Sequence, residues 1–222
     1  MLENLDADPG SLDQYDELLR RDSSLTTLEF FQTVLPEDSI HYLVLFTKKL
    51  DERGNPFKIH KPFSDLETMA AAMAEFDNDE QYIGVYHACA GYLKPFIELD
   101  ELNKWGKPKR QFRVGDNWHQ AKAFWVDIDC GEEKHAKGEG YLTKRDACTA
   151  LYKFADTIEW PRPMVVDSGN GIHAYWPLES EIDYGAWVRT AVKLKATAAH
   201  LGLIADPTRT ADFDLAPVPC SS

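Results

Sequence analysis

Two aspartates, Asp127 and Asp129, stand one residue apart at the end of the apolar run at residues 123–126. Alternate residues of a β-strand point to the same face, so the sequence predicts that both carboxylates project together. Neighbouring carboxylates repel each other and raise each other's pKa unless a cation shares them. Divalent ions such as Mg²⁺ or Mn²⁺, held by carboxylates and a substrate phosphate, are the usual solution. An aspartate pair with this spacing is common by itself, so its meaning depends on what accompanies it.

A second polar element follows downstream, where Ser168 and His173 enclose a Gly-Asn-Gly turn at residues 169–171. The Asn-Gly pair predicts a hairpin between strands at residues 164–168 and 172–178. Glycines there would let backbone N–H groups approach phosphate oxygens closely, while a serine hydroxyl and a histidine proton would add hydrogen bonds. Taken alone, the turn is equally consistent with an ordinary hairpin, and His173 with a half-buried strand histidine.

The elements that must position these residues follow a recognisable order from residue 122 onward. Apolar periodicity and helix caps predict a strand at residues 122–129, a helix at 143–156, and two strands at 164–168 and 172–178. A helix capped by Asp183 and a last strand at 203–206 follow. This is the β-α-β-β-α-β order of a ferredoxin-like or RRM-like α+β module, in which the first and third strands are neighbours. Asp206 ends the last strand, so three acids could meet on one sheet face around two metal ions, as two-metal phosphoryl transfer requires.

The preceding residues predict a smaller N-terminal α/β module at residues 25–113, packed against the RRM-like module at 114–222. Its elements are a helix at 27–35, a strand at 40–47, a helix opened by a capping box at Ser64, and a strand at 81–88. Residues 1–24 are an acidic tail with one short predicted helix at 11–21. Residues 132–141 are polar and contain glycines, so a mobile loop is expected there.

The charge of the chain is uneven. The net charge is −13, and residues 1–40 hold ten acids against two bases, which leaves −5 for the rest. A chain of this charge does not simply coat nucleic acid. Residues 104–113, however, hold five bases and no acid, with Trp105 and Phe112 interleaved. We expect a loop or irregular hairpin there, either contacting nucleic acid or merely solvated.

Several protein classes are disfavoured. The four cysteines are scattered without a C-x-x-C pair, so neither a disulfide framework nor a zinc site with paired ligands is predicted. No apolar run approaches the ~20 residues of a membrane span, and no signal segment opens the chain. The sequence therefore predicts a cytoplasmic protein that does not interact with membranes.

The combined motifs resemble those of the archaeo-eukaryotic primase (AEP) superfamily, especially the primase-polymerase domains of phages and plasmids. That family has an apolar-D-x-D/E motif, an S-x-H type motif and an apolar-D/E motif. Residues 124–129, 168–173 and 205–206 look like these three in the same order. The sequence Asp-Cys-Gly at 129–131 and the sequence Ala-Asp-Pro-Thr-Arg at 205–209 also fit the phage branch. The resemblance covers about residues 25–212.

The resemblance implies a metal-dependent nucleotidyltransferase that makes or extends RNA or DNA primers in phage- or plasmid-type replication, in the host cytoplasm if the protein is viral. Two Mg²⁺ or Mn²⁺ ions would be bound by Asp127, Asp129 and Asp206, with His173 as a further catalytic residue. The nucleoside triphosphate would contact Ser168, Gly169, Asn170, Gly171, His173 and Arg209. The single-stranded DNA template or primer would contact Lys107, Lys109, Arg110 and Arg113. A fused or recruited replicative helicase is a further expected partner.

The end of the chain departs from the family pattern. Family members continue past the third motif into an arginine-bearing stretch, whereas residues 212–222 read DFDLAPVPCSS, with Asp214 and Ala216 in place of expected bases. A truncated, split or catalytically impaired protein, acting as a nucleotide- or nucleic-acid-binding module in replication, therefore stays open. A nucleotide-sugar glycosyltransferase also uses D-x-D, but it predicts no partnered S-x-H hairpin.

Overall fold

Two four-stranded antiparallel sheets organise this α+β protein in the computed structural model, which describes residues 25–103, 105–206 and 218–219. The described helices are α1 (Thr27–Val34), α2 (Leu66–Asp77), α3 (Glu132–Ala136), α4 (Lys144–Thr157) and α5 (Tyr184–His200). The strands are β1 (His41–Leu50), β2 (Pro56–Phe63), β3 (Tyr82–His87), β4 (Gly91–Tyr92), β5 (Ile97–Leu102), β6 (Pro108–Gln111), β7 (Trp118–Asp129), β8 (Met164–Asp167), β9 (Gly171–Asp183) and β10 (Val218–Pro219). None of these helices is long and apolar enough to span a membrane.

The first sheet has the strand order β10-β3-β1-β2. Its central strand β1 is rich in β-branched and aromatic residues, which suit a pleated, partly buried surface. Leu43 and Leu45 are fully buried on one face of β1, the face on which α2 packs through Met69 and Met73. The capping of α2 differs from the prediction, because Asp65 rather than Ser64 is the N-cap and accepts a hydrogen bond from the Thr68 N–H. Strand β2 was not anticipated from the sequence.

The second sheet has the order β4-β7-β9-β8 and holds the motif residues. Strands β7 and β9 pair antiparallel from Gln120 opposite Asp183 to Asp129 opposite Gly171. The predicted adjacency of the first and third strands is therefore confirmed. Helices α4 and α5 begin where the caps predict, with the Thr143 and Asp183 side chains accepting hydrogen bonds from the first turn of each helix.

The two faces of β9 meet different parts of the protein. Trp176 lies against Trp160 beyond the end of α4, with ring centroids 5.6 Å apart. Its neighbour Tyr175 points to the other face and packs edge-on against Phe30 of α1 at 5.2 Å and beside His87 of β3. The face that carries Tyr175 therefore looks toward the N-terminal elements. The division of the chain into modules at residues 113 and 114 stays a prediction.

Two predicted segments behave differently in the structure. Residues 203–206 form no strand, because a single backbone bond, from the Asp206 N–H to the Asp127 carbonyl at 2.8 Å, links them to β7. Pro207 follows and carries no N–H with which to continue a ladder. Residues 132–141 were expected to be a mobile loop, but they contain α3, and the Tyr141 N–H bonds to the Asp129 carbonyl at 3.0 Å. The predicted helix at 11–21 lies outside the described residues.

Buried His87 makes the stability of the fold depend on pH. Its Nδ1 lies 3.3 Å from the Ala88 carbonyl and its Nε2 3.4 Å from the Tyr175 hydroxyl, among the rings of Phe30 and Phe31. Burial lowers the pKa of His87 to about 4, against ~6.5 in an unfolded chain. Between these pH values His87 is protonated in the unfolded chain but neutral in the folded chain. The free energy of unfolding should therefore fall by ~3 kcal/mol between pH 6.5 and pH 4 on account of this group.

Urea unfolding at a series of pH values measures this effect. We expect His87→Leu to flatten the fall in unfolding free energy below pH 6.5, whatever it does to stability at neutral pH. His200→Gln, at the exposed end of α5, serves as the matched control and should keep the slope of the natural chain. Equal slopes for His87→Leu and the natural chain would contradict the assignment.

Candidate active site

Asp127 and Asp129 project from the same face at the end of β7. Ile128 between them is fully buried, whereas both aspartates are half-buried. This alternation is what a strand imposes on residues two apart. In the register of β7 and β9, Asp127 lies opposite His173 and Asp129 lies opposite Gly171. The structure thus brings the first and second sequence motifs together on one surface.

His173 and Asp127 are in direct contact. The Nε2 atom of His173 lies 3.1 Å from Oδ1 of Asp127, and the histidine side chain is only 3% exposed. Its Nδ1 atom is buried and has no hydrogen-bond partner among the described residues. In this arrangement the ring holds the Asp127 carboxylate and offers no nitrogen to solvent. A direct contact between His173 and a triphosphate therefore stays a prediction.

The glycine turn lies against the end of β7. The Asn170 carbonyl accepts the Cys130 N–H at 2.9 Å, and the Ser168 N–H donates to the Gly171 carbonyl at 3.1 Å. Gly169 has φ of +85°, a backbone conformation that favours glycine. Gly171 passes so close to β7 that an added Cβ would overlap the Ile128 carbonyl and lie 3.1 Å from the Cα of Asp129. Gly169 and Asn170 are exposed, so the turn is accessible to a ligand.

Lys144 clamps the turn from the first position of α4. Its ammonium lies 2.6 and 2.8 Å from the two carboxylate oxygens of Asp167, and one of these oxygens also accepts the Gly169 N–H at 2.7 Å. Partial burial acts to raise the pKa of Asp167, but the hydrogen bonds from Lys144 and Gly169 outweigh it and leave the pKa below its ordinary value. Asp167 thus has a structural role, since it joins the turn to α4. Nothing in the sequence pattern indicated a role for Lys144.

Lys134 of α3 is a second functional candidate that the sequence did not reveal. Its ammonium lies 2.8 Å from Oδ2 of Asp129 and 3.8 Å from Glu139. The hydrogen bond to the Asp129 carboxylate raises the pKa of Lys134. The loop that carries it fits closely on β7, because an added Cβ at Gly140 would overlap the Asp129 carbonyl. A cation therefore already shares one of the two motif carboxylates.

The backbone of Asp206 is hydrogen-bonded to the backbone of Asp127. Its N–H donates to the Asp127 carbonyl, and the Ile204 N–H bonds to the Tyr141 hydroxyl at 3.1 Å. Within the described residues, however, no three His, Cys, Asp or Glu side chains are grouped so as to hold a metal ion. The metal-ligand roles of Asp127, Asp129 and Asp206 stay predictions. Arg209 lies outside the described residues.

The basic segment supplies β6, which pairs with the preceding β5 in a hairpin, one of the two alternatives predicted from the sequence. Two of its five bases are paired with acids of β5: the Lys109 ammonium lies 2.6 Å from Glu101 and the Arg110 guanidinium 3.3 Å from Glu98. Lys107 is exposed and Arg113 is half-buried. Contact of these four bases with nucleic acid stays a prediction.

Comparison with known proteins gives one structural likeness. No protein-family model matches the chain, and no curated protein matches it in sequence. Among solved structures, the chain is similar to the AEP domain of the primase-polymerase of cyanophage S-2L, with 15% sequence identity and a TM-score of 0.43. The match covers 97% of this chain and 84% of that chain. The function proposed below rests on the site itself.

Proposed function

We propose that this protein is a metal-dependent nucleotidyltransferase, a primase-polymerase that makes or extends RNA or DNA primers on a single-stranded template in phage- or plasmid-type replication. The observation that carries the proposal is the contact between motif residues that are remote in sequence. Asp127 and His173 meet at 3.1 Å on adjacent strands, and the Asp206 N–H bonds to the Asp127 carbonyl. An isolated D-x-D would not require either contact.

The acids fit the expected metal in type, and two of them share one face of the sheet. Carboxylate oxygens suit Mg²⁺ and Mn²⁺, and Asp127 and Asp129 share a face that reaches Asp206 along the backbone. When bound there, such ions would lower the pKa of an attacking 3′-hydroxyl and neutralise charge on the leaving pyrophosphate. Binding requires the Lys134 ammonium to leave Asp129, which its exposed side chain permits.

The protein's own groups would orient the substrates. The His173 ring fixes the direction of the Asp127 carboxylate, since it is buried and in contact with it. The Asn170 N–H of the exposed turn and the Ser168 hydroxyl would hydrogen-bond phosphate oxygens, since the Gly169 N–H already donates to Asp167. Lys144 and Asp167 keep that turn in place next to the acids.

A catalytically impaired binding module is the second candidate. It is favoured by the absence of a three-ligand cluster among the described residues and by the lysine that occupies Asp129. A glycosyltransferase is disfavoured, because that reading predicts no partner hairpin such as the one observed across from Asp127.

Primer synthesis distinguishes these candidates. The protein is incubated with labelled nucleoside triphosphates, Mn²⁺ and a single-stranded DNA template, and dinucleotides and longer products are resolved on a gel. A primase-polymerase yields template-dependent products. An impaired module binds triphosphate in a metal-dependent manner without product, and a glycosyltransferase instead consumes a nucleotide-sugar.

Removal of the Lys134 ammonium should strengthen metal binding. Lys134→Gln leaves the Asp127 and Asp129 carboxylates without their competing cation, so their affinity for Mn²⁺ should rise. Exposed ion pairs contribute little, so the expected gain in affinity is about two- to fivefold. Calorimetric titration with Mn²⁺ in the absence of nucleotide measures it. Lys137→Gln, which removes an exposed lysine paired with Glu133 nearby, is the control, and equal affinities for the two variants would refute the competition.

A further inference from the structure

The hairpin of β1 and β2 carries positive charge that no ion pair within the described residues balances. Residues 48–61 contain five bases and two acids, a net charge of +3 in a chain of −13. One of the acids, Asp51, is engaged in the turn, where it accepts the N–H groups of Arg53 and Asn55 at 2.9 Å. The bases are all exposed, and none pairs with a described carboxylate: Lys48, Lys49, Arg53, Lys58 and Lys61.

Two aromatic rings lie beside this charge on neighbouring strands. The ring centroids of Phe46 on β1 and Tyr86 on β3 are 4.8 Å apart, and both residues are only half-buried. The Lys58 ammonium lies 5.2 Å from the centroid of the Phe46 ring. Gly84 contributes no side chain here, and an added Cβ would come within 2.7 Å of the Tyr86 ring. The Tyr86 ring can therefore lie low across the strand surface.

These groups share the sheet face that is turned away from α2. Phe46 pairs in register with Lys58 and with Gly84, and cross-strand partners point to the same side. On the opposite side, Lys61 lies 6.0 Å from the ring of Phe76 of α2. The face with Phe46 continues through His60, whose ring stacks on Phe112 at 4.7 Å and 4°, toward the β5–β6 hairpin. Aromatic and basic groups thus line one side of the first sheet.

Single-stranded nucleic acid matches this combination. Its phosphates attract exposed lysines, and its unpaired bases stack on aromatic rings without regard to sequence. We infer that the surface formed by Phe46, Tyr86, Lys58 and the adjacent Lys48 and Lys49, called here the β1 surface, binds single-stranded DNA. The identification of that strand as the template rests on the proposed function. A duplex fits less well, because its bases are already stacked and unavailable to the rings.

Binding of single-stranded DNA in the absence of chemistry tests the inference. Fluorescence anisotropy of a labelled 20-nucleotide oligothymidylate is measured with the full chain in EDTA, without nucleotide. Phe46→Leu keeps an apolar side chain against Tyr86 but removes the ring, and it should weaken binding by at least about fivefold. The triple variant Lys48→Gln, Lys49→Gln, Lys58→Gln should lower the slope of log affinity against log salt by about 2, since each lost phosphate contact on a single strand removes ~0.7.

Matched variants and a duplex decide the outcome. Lys153→Gln, an exposed lysine of α4, should leave affinity and salt slope unchanged, and Asp127→Asn with Asp129→Asn should still bind DNA. Affinities of Phe46→Leu and the triple lysine variant within twofold of the natural chain would overturn the inference, as would an equal loss for a blunt duplex. If Phe46→Leu fails to fold, the triple lysine variant alone tests the inference. If the chain binds DNA through the β1 surface but makes no primers, this inference is supported and the proposed polymerase function is contradicted.

Discussion

Asp127→Asn is expected to reduce template-dependent primer synthesis by roughly 10²–10³-fold, the loss typical of removing one preorganised charge from a reacting centre. The amide keeps the shape of the carboxylate and can still accept a hydrogen bond from His173, so the fold should survive. What disappears is the negative charge that would hold the metal next to the triphosphate. Asp129→Asn should behave in the same way. Product formed per unit time with Mn²⁺ and saturating nucleotide measures both variants.

Glu179→Gln is the control for this loss, because it neutralises an exposed carboxylate of β9 away from the motif residues. It should retain full activity. Thermal unfolding of each variant separates a catalytic loss from a folding defect. Activity of Asp127→Asn within fivefold of the natural chain would mean that this carboxylate does not bind a catalytic metal, and the primase-polymerase proposal would fail.

The strand geometry of the site could be predicted because it follows from local rules. A period of two placed Asp127 and Asp129 on one face, and the Asn-Gly turn fixed the hairpin of β8 and β9. Adjacency of β7 and β9 followed from the order of the elements. Each of these steps used only neighbouring residues or a short list of topologies, whereas the register that sets His173 opposite Asp127 was not predicted.

The lysines at the site could not be predicted, because their partners are decided by tertiary packing. Lys134 reaches Asp129 only because residues 131–141 fold back on β7 through the Tyr141 N–H and the close approach of Gly140. Lys144 reaches Asp167 across 23 residues of sequence. Nothing in their local sequence distinguishes them from other exposed lysines. The position of residues 203–206 depends in the same way on one long-range hydrogen bond.

The charge distribution shows a related difficulty. A linear window marks residues 104–113 as basic, but β5 places Glu98 and Glu101 directly across from Arg110 and Lys109. The bases of the β1–β2 hairpin are interrupted in sequence by Asp51 and Glu52, so no window stands out. In the fold, Asp51 is used by the turn and the bases remain exposed. A count along the sequence ignores pairing between strands. Once that pairing is considered, the β1–β2 hairpin rather than residues 104–113 has more exposed bases without an acidic partner among the described residues.

Gly171→Ala should reduce primer synthesis by about a hundredfold while the protein remains folded. The added Cβ would overlap the Ile128 carbonyl and press on the Cα of Asp129, both of which are backbone atoms of β7. Such overpacking costs about 1–3 kcal/mol of stability. A displacement of about 1 Å at a reacting centre costs on the order of 10²-fold in rate, and here it would separate Asp129 and the glycine turn. Primer synthesis and urea unfolding of the same preparation measure the two effects.

Gly185→Ala is the matched control, because it also adds one methyl group to a glycine of the same part of the fold. Its Cβ would lie 3.3 Å from the Arg189 guanidinium and 3.2 Å from Asp183 Oδ1, the cap of α5, so these side-chain atoms need to give way by only a few tenths of an ångström. In the first turn of α5, alanine should be neutral or stabilising by up to ~1 kcal/mol. Full activity in Gly171→Ala would show that the spacing of β7 and β9 at Asp129 is not critical. The turn would then be only a hairpin connection, and its proposed contact with the triphosphate would have to be abandoned.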